Sequence, residues 1–195
     1  MPPRKSIDAQ KVVQTAVALA DANGFEAVTL ASVAEALGIR IPSLYNHVAG
    51  LPGLRYEMRL WGLRLLAEHI RRAAVGKSGD EGVGSVASAY RAFAHAHPGI
   101  YAVTLRAPDP DEHDLIAVGQ EIIDVLFAIL RPYGFDDEDM LHAIRAFRSV
   151  LHGFVDLETS GAFKMALDLD ESFRRLVEGF IGGLHARQQA AAVTR

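Results

Sequence analysis

Beyond the first few residues, nearly every stretch of the chain carries apolar residues three and four apart, and nowhere do apolar and polar residues alternate in a sustained period-two run between hairpin turns. This spacing restricts the chain to an all-α fold. At 195 residues, half of them hydrophobic, it can bury one large core or divide into a small domain and a medium one. There is no cysteine, so disulfides, thiolate metal sites and cysteine nucleophiles are excluded, and a reducing compartment fits. The apolar runs are broken by charges before membrane-spanning length, and the opening "MPPRKSIDAQ" lacks the apolar core of a secretory signal. The expectation is a soluble cytoplasmic protein with no membrane partner.

The net charge of −4 hides a division. Residues 1–55 hold five basic against four acidic side chains, a net of +1, which leaves −5 for the remainder. In this less acidic front, Ser6 can cap a first helix with Val12, Ala16, Leu19 and Ala20 inward, ended by Asn23 and Gly24. Thr29 can cap a short second helix with Leu30, Val33 and Leu37 inward, and Gly38 sits where a left-handed cap is needed. A third helix starts at Pro42, whose missing N–H has no partner in a first turn anyway.

That third helix lies in "LGIRIPSLYNHVAG", residues 37–50, and its composition is unusual for a core element. Leu44 and Val48 fall one turn apart on one side, leaving Pro42, Ser43, Tyr45 and Asn46 around the other and His47 at the flank. Two short helices joined by a glycine turn, the second with a polar outer face, form a helix-turn-helix that can enter a DNA major groove. Ser43 and Asn46 can bond base edges or phosphates, Tyr45 and His47 can reach phosphate oxygens, and Ile41 or Pro42 can lie against a thymine methyl. Thr29 presents a hydroxyl and backbone N–H groups to a phosphate. The plain alternative is a helical hairpin with a solvated face.

Residues 24–58 resemble the N-terminal module of the TetR family of repressors, through Gly24-Phe25, Thr29, Val33-Ala34, Leu37-Gly38, Ser43-Leu44-Tyr45 and His47. The resemblance implies that Ile41, Pro42, Ser43, Tyr45, Asn46 and His47 occupy positions that read or grip DNA, with Tyr45 and His47 on the backbone. It departs from the family at Leu51, where a phosphate-gripping lysine is usual; Arg55 lies a turn on as a substitute. Ala31 offers no side chain for a base contact, and Arg4, Lys5 and Arg40 supply part of the missing charge. The affinity implied is modest and salt-sensitive.

The proposed boundary places this head at residues 1–50 and a helical effector-binding and dimerisation domain at 51–195. A long helix runs through Trp61 to about Ala74; "GKSGDEGVG", residues 76–84, reads as a loop; further helices fall near 85–96, 98–106, 112–132, 137–160 and 169–190. Two pieces, "AHPGIYAVTLRAP" at 96–108 and "LHGFVDLE" at 151–158, resemble a C-terminal subgroup named for its Trp-His-Gly element, with Leu151 where tryptophan would stand. Tyr90, Phe93, Tyr101, Phe147 and His152 are candidates to line an apolar cavity, Tyr101 and His152 foremost because each brings a polar tip into an oily neighbourhood. On the last helix Phe173, Val177, Phe180, Ile181 and Leu184 form an apolar face beside Gly179, Gly182 and Gly183, suited to half of a four-helix bundle shared with a second copy.

Catalysis finds little support. His95 and His97 are two apart on a helix and diverge, Glu138 and His142 can share a metal or, far more commonly, pair across one turn, and "DPDEHD" at 109–114 reads most simply as a helix N-terminus, with a metal-dependent enzyme as the minority reading of its carboxylates. No H-E-x-x-H, phosphate loop, G-x-S-x-G or paired E-x-x-H motif occurs. The expectation is therefore no enzyme, no metal and no cofactor. It is instead a homodimeric regulator, most simply a repressor, that binds a near-palindromic double-stranded operator with half-sites about 34–36 Å apart and is released by an apolar or aromatic small molecule. The alternative is a helical enzyme or small-molecule-binding protein without DNA binding.

Overall fold

The computed structural model describes residues 7–193, with side chains described to residue 190. Those residues form nine α-helices and two short 3₁₀ turns: α1 Ala9–Asn23, α2 Leu30–Leu37, α3 Ile41–Leu44, α4 Gly50–Ala74, α5 Gly79–Ala96, α6 Pro98–Thr104, α7 His113–Leu130, α8 Asp137–Thr159 and α9 Leu169–Val193. The 3₁₀ turns are Phe25–Ala27 and Arg131–Tyr133. No helix among the described residues is long and apolar enough to cross a membrane. The chain divides into two compact units, one reaching to Leu65 and resuming over Ala96–Val118, the other formed by Leu66–His95 and the residues from Gly119 onward.

The first unit is a set of short helices locked at their ends. Asp8 caps α1 by accepting a hydrogen bond from the Lys11 backbone N–H at 2.8 Å, whereas Ser6, the expected cap, lies outside the described residues, as do Arg4 and Lys5. Thr29 caps α2 as its sequence suggests, in a box with Ser32. Gly38 ends α2 at φ +66°, a left-handed conformation that costs any other residue a clash. Its interior is mostly aliphatic: Val12, Ala16, Val33, Leu44 and Leu54 are fully enclosed, together with Met58 and Ile100.

In the same unit α6 is bolted to α1. Asp21 Oδ1 accepts from the backbone N–H groups of Gly99 and Ile100, both at 3.1 Å, and Asp21 Oδ2 lies 2.9 Å from His97 Nδ1. A carboxylate at a helix start satisfies donors that have no partner within the helix and favours the positive end of its dipole. The approach is close enough to require glycine: a Cβ on Gly99 would stand 2.0 Å from the Ala20 carbonyl oxygen. On α4, Gly62 makes a similar allowance for Ile100, whose Cγ2 would lie 2.1 Å from an added Cβ.

The second unit is built on rings and ion pairs. Phe147 stacks on Phe180 with centroids 4.9 Å apart, and Phe154 meets Phe163 and Phe173 at 5.1 Å each. Arg91 crosses from α5 to Glu158 of α8 and Asp170 of α9, with its guanidinium over the Phe173 ring at 4.9 Å. At the far end of α9, Tyr133 donates to Asp80 at 2.6 Å and His185 Nε2 sits 2.9 Å from the same oxygen.

Two expectations change here. The stretch 76–84 is not a loop, since α5 already begins at Gly79. Asp80 and Glu81 suit its first turn, and Gly82 is there for packing, because a Cβ would come within 3.0 Å of Ile129 Cβ. The third helix is also shorter than its apolar spacing suggests: α3 is one turn, and Tyr45–His47 continue it only as a turn.

Candidate nucleic-acid interface

The short α3 is oriented from beneath. Leu44 is fully enclosed and Val48 nearly so, and the Val48 N–H donates to the Leu44 carbonyl at 3.0 Å, which holds the intervening residues in a helical turn after α3 has formally ended. With those two side chains inward, the others must face out. Tyr45 is 60% exposed, Ile41 40% exposed, Pro42 and Asn46 exposed, and Ser43 and His47 half-buried. Arg40, which precedes the helix in an extended conformation, is also exposed. The seven residues foreseen on this stretch are thus brought together on one short segment, with an aromatic ring, an amide and a guanidinium at its surface.

Thr29 is exposed at the start of α2, but its polar groups already have partners. Its Oγ1 accepts from the Ser32 N–H at 3.1 Å, and its own N–H donates to Ser32 Oγ at 3.0 Å. Its first contribution is therefore to fix α2. Arg55, a turn beyond Leu51, pairs with Glu26 at 2.8 Å and lies over the Phe25 ring at 5.4 Å, tying α4 to the 3₁₀ turn after α1.

The five residues considered for a ligand cavity are distributed over both units. Tyr101 belongs to the first, whereas Tyr90, Phe93, Phe147 and His152 belong to the second. Tyr90, Phe93 and Phe147 are buried and His152 half-buried. A shallow cleft of about 390 Å³ in the second unit is lined instead by Ser88, Arg91, Ala92, His95, Asp170 and Phe173. Arg91 and Glu158, which hold it together, were not foreseen; they are 67 residues apart, and no local pattern announces the pair.

On α9, Phe173, Val177 and Leu184 are buried within the protomer itself, while Phe180 and Ile181 are half-buried. Gly179, Gly182, Gly183 and Ala186 are exposed on the opposite face, and an added Cβ on any of the three glycines would meet nothing within 4 Å. Glu138 and His142 lie 3.9 Å apart across one turn of α8, an ordinary surface pair.

Residues 83–180 match the family model described as the tetracycline-repressor-like C-terminal domain. The chain is 34% identical over 179 residues to an HTH-type transcriptional regulator of Mycobacterium tuberculosis, covering 91% of this chain and 82% of that protein. It is 32% identical over 185 residues to the HTH-type transcriptional regulator YobS of Bacillus subtilis, covering 94% and 96%. The fold is similar to that of the Streptomyces coelicolor TetR family protein ActR, solved in complex with (S)-DNPA, with a TM-score of 0.64 at 20% identity over 94% of this chain and 99% of that one. Helix-turn-helix head, helical remainder and full-length relatives agree: the chain belongs to the TetR family of transcriptional regulators.

Proposed function

We propose that the chain is a homodimeric repressor whose head, residues 1–50, reads a near-palindromic operator through Arg40, Ile41, Pro42, Ser43, Tyr45, Asn46 and His47, with Thr29 fixing α2 against the backbone. The observation that carries this reading is the partition of α3: two apolar side chains enclosed below, and a ring, an amide and a small apolar lip exposed above. Such a face has no purpose in a packed core, and its chemistry matches base edges and phosphates.

The remainder, residues 51–195, serves dimerisation and effector binding in this reading, by occupancy and not by catalysis. The exposed glycine face of α9, flanked by half-buried Phe180 and Ile181, permits a second copy to approach closely; Phe173, Val177 and Leu184 support that face from behind. The relative solved with a small molecule supports an effector for this chain as well. An apolar or aromatic compound among Tyr90, Phe93, Phe147 and His152, or beside Tyr101, would shift the population toward a form that cannot engage two successive grooves, provided it binds that form better. The resemblance to the Trp-His-Gly subgroup belongs to the same reading.

A gel shift with duplex DNA from upstream of the chain's own coding sequence tests it. A repressor gives saturable, sequence-selective retardation that an excess of unrelated duplex does not remove. A helical enzyme or simple binding protein gives none.

A further inference from the structure

We propose that Ile41 reads the C5-methyl group of one thymine in each operator half-site and so fixes an A·T pair there. The inference rests on the reading of α3 as the recognition element and deepens it. Among described residues 7–50, Ile41 and Tyr45 are the large hydrophobic side chains left exposed, and they lie four residues apart on the same face. Tyr45 has a hydroxyl for a phosphate. Ile41 has only hydrocarbon, extended by the neighbouring ring of exposed Pro42.

The core does not need Ile41: Leu44 and Val48 already close the interior beneath α3, and Ile39 turns half inward. Nor does a β-branched residue favour a helix. The major groove offers one apolar group on its base edges, the thymine methyl; every other edge presents donors or acceptors. Set against guanine O6 and N7, adenine N6 or cytosine N4, Ile41 would strip water from a polar group and return no hydrogen bond. Against a methyl it loses nothing and buries apolar surface. The contact also matters more here than in a strongly basic head, because residues 1–50 carry four Lys or Arg side chains, Arg4, Lys5, Lys11 and Arg40, against four carboxylates, and Arg55, just beyond them, is paired with Glu26.

The experiment begins with selection of bound duplexes from a random-sequence pool by the full chain, which defines the half-site. Each thymine of that half-site is then replaced singly by deoxyuridine, which removes the C5-methyl alone, and affinity is measured by fluorescence anisotropy for the wild type and for Ile41→Ala. One symmetric position should weaken wild-type binding about fourfold per half-site, the factor given by burial of one methyl-sized group, and about fifteenfold when both halves are changed. Ile41→Ala should be indifferent to the same replacement and should melt with the wild type. At that position 5-methylcytosine should bind the wild type more tightly than cytosine. An enriched half-site whose thymines are all insensitive to the methyl, or a sensitivity that persists in Ile41→Ala, would overturn this inference alone. A pool with no enriched sequence would overturn the operator reading and this inference together.

Discussion

The two compact units solve the same problem, packing amphipathic helices, with different materials. The unit that contains the head uses valines and alanines with short helices, capped ends and glycines at the points of closest approach. The other uses stacked phenylalanines and carboxylates shared between arginine, tyrosine and histidine. Small side chains hold backbones close and leave little adjustable volume, which suits a surface that must keep its shape while it reads DNA. Large rings and polar clusters offer more ways to repack, which suits a region that must respond to something bound.

The largest effects should come from breaking each unit by its own rule. Phe93, fully enclosed in the ring-based unit, should cost about 3–5 kcal/mol when replaced by alanine, read from denaturant unfolding. Gly99→Ala in the head unit adds a single methyl, yet should cost about 1–3 kcal/mol because that methyl meets the Ala20 carbonyl. If the two substitutions ranked the other way, the contrast in packing would be misdrawn. Asp21→Ala removes the carboxylate that caps α6 and should cost about 1–2 kcal/mol, with faster amide exchange at Gly99 and Ile100 as the specific sign.

A smaller effect separates the units by pH. Hydrogen bonding to Asp80 raises the His185 imidazole above its ordinary value, while hydrogen bonds from Tyr133 and then His185 hold the Asp80 carboxyl below its own. The raised group stabilises the fold fully below the ordinary imidazole value of 6.5 and ceases to as pH climbs through its folded value. The lowered group contributes above the ordinary carboxyl value of 3.8 and is lost as pH falls through its folded value. The unfolding midpoint should therefore decline as pH is raised from about 6 through the His185 titration, and His185→Gln should flatten that decline. A decline of the same size in the variant would remove this cluster from the account.

How much of this was legible in the sequence depended on distance along the chain. The division of α3 into Leu44 and Val48 inward, Tyr45 and Asn46 outward, is an i, i+4 pattern, the Thr29–Ser32 box spans three positions and the Gly38 terminus is one residue; all are written within a few residues. Gly82 misled because a glycine needed for a helix contact and a glycine in a loop look alike until Ile129 is placed against it. The Asp21 clasp on α6 joins residues 78 apart, and Arg55 could not be recognised as occupied without Glu26, 29 positions earlier. The apolar stripe of α9 was visible, but a stripe does not say which protein covers it: Phe173, Val177 and Leu184 turn out to be enclosed by their own chain.

The least effect on stability should accompany the greatest effect on function. Tyr45→Ala combined with Asn46→Ala touches only exposed side chains and should leave unfolding within about 0.5 kcal/mol of the wild type. Operator affinity, measured on the selected duplex, is the most direct test: the account predicts a loss of at least about tenfold with melting and dimerisation unchanged. Undiminished affinity in the double variant would contradict it.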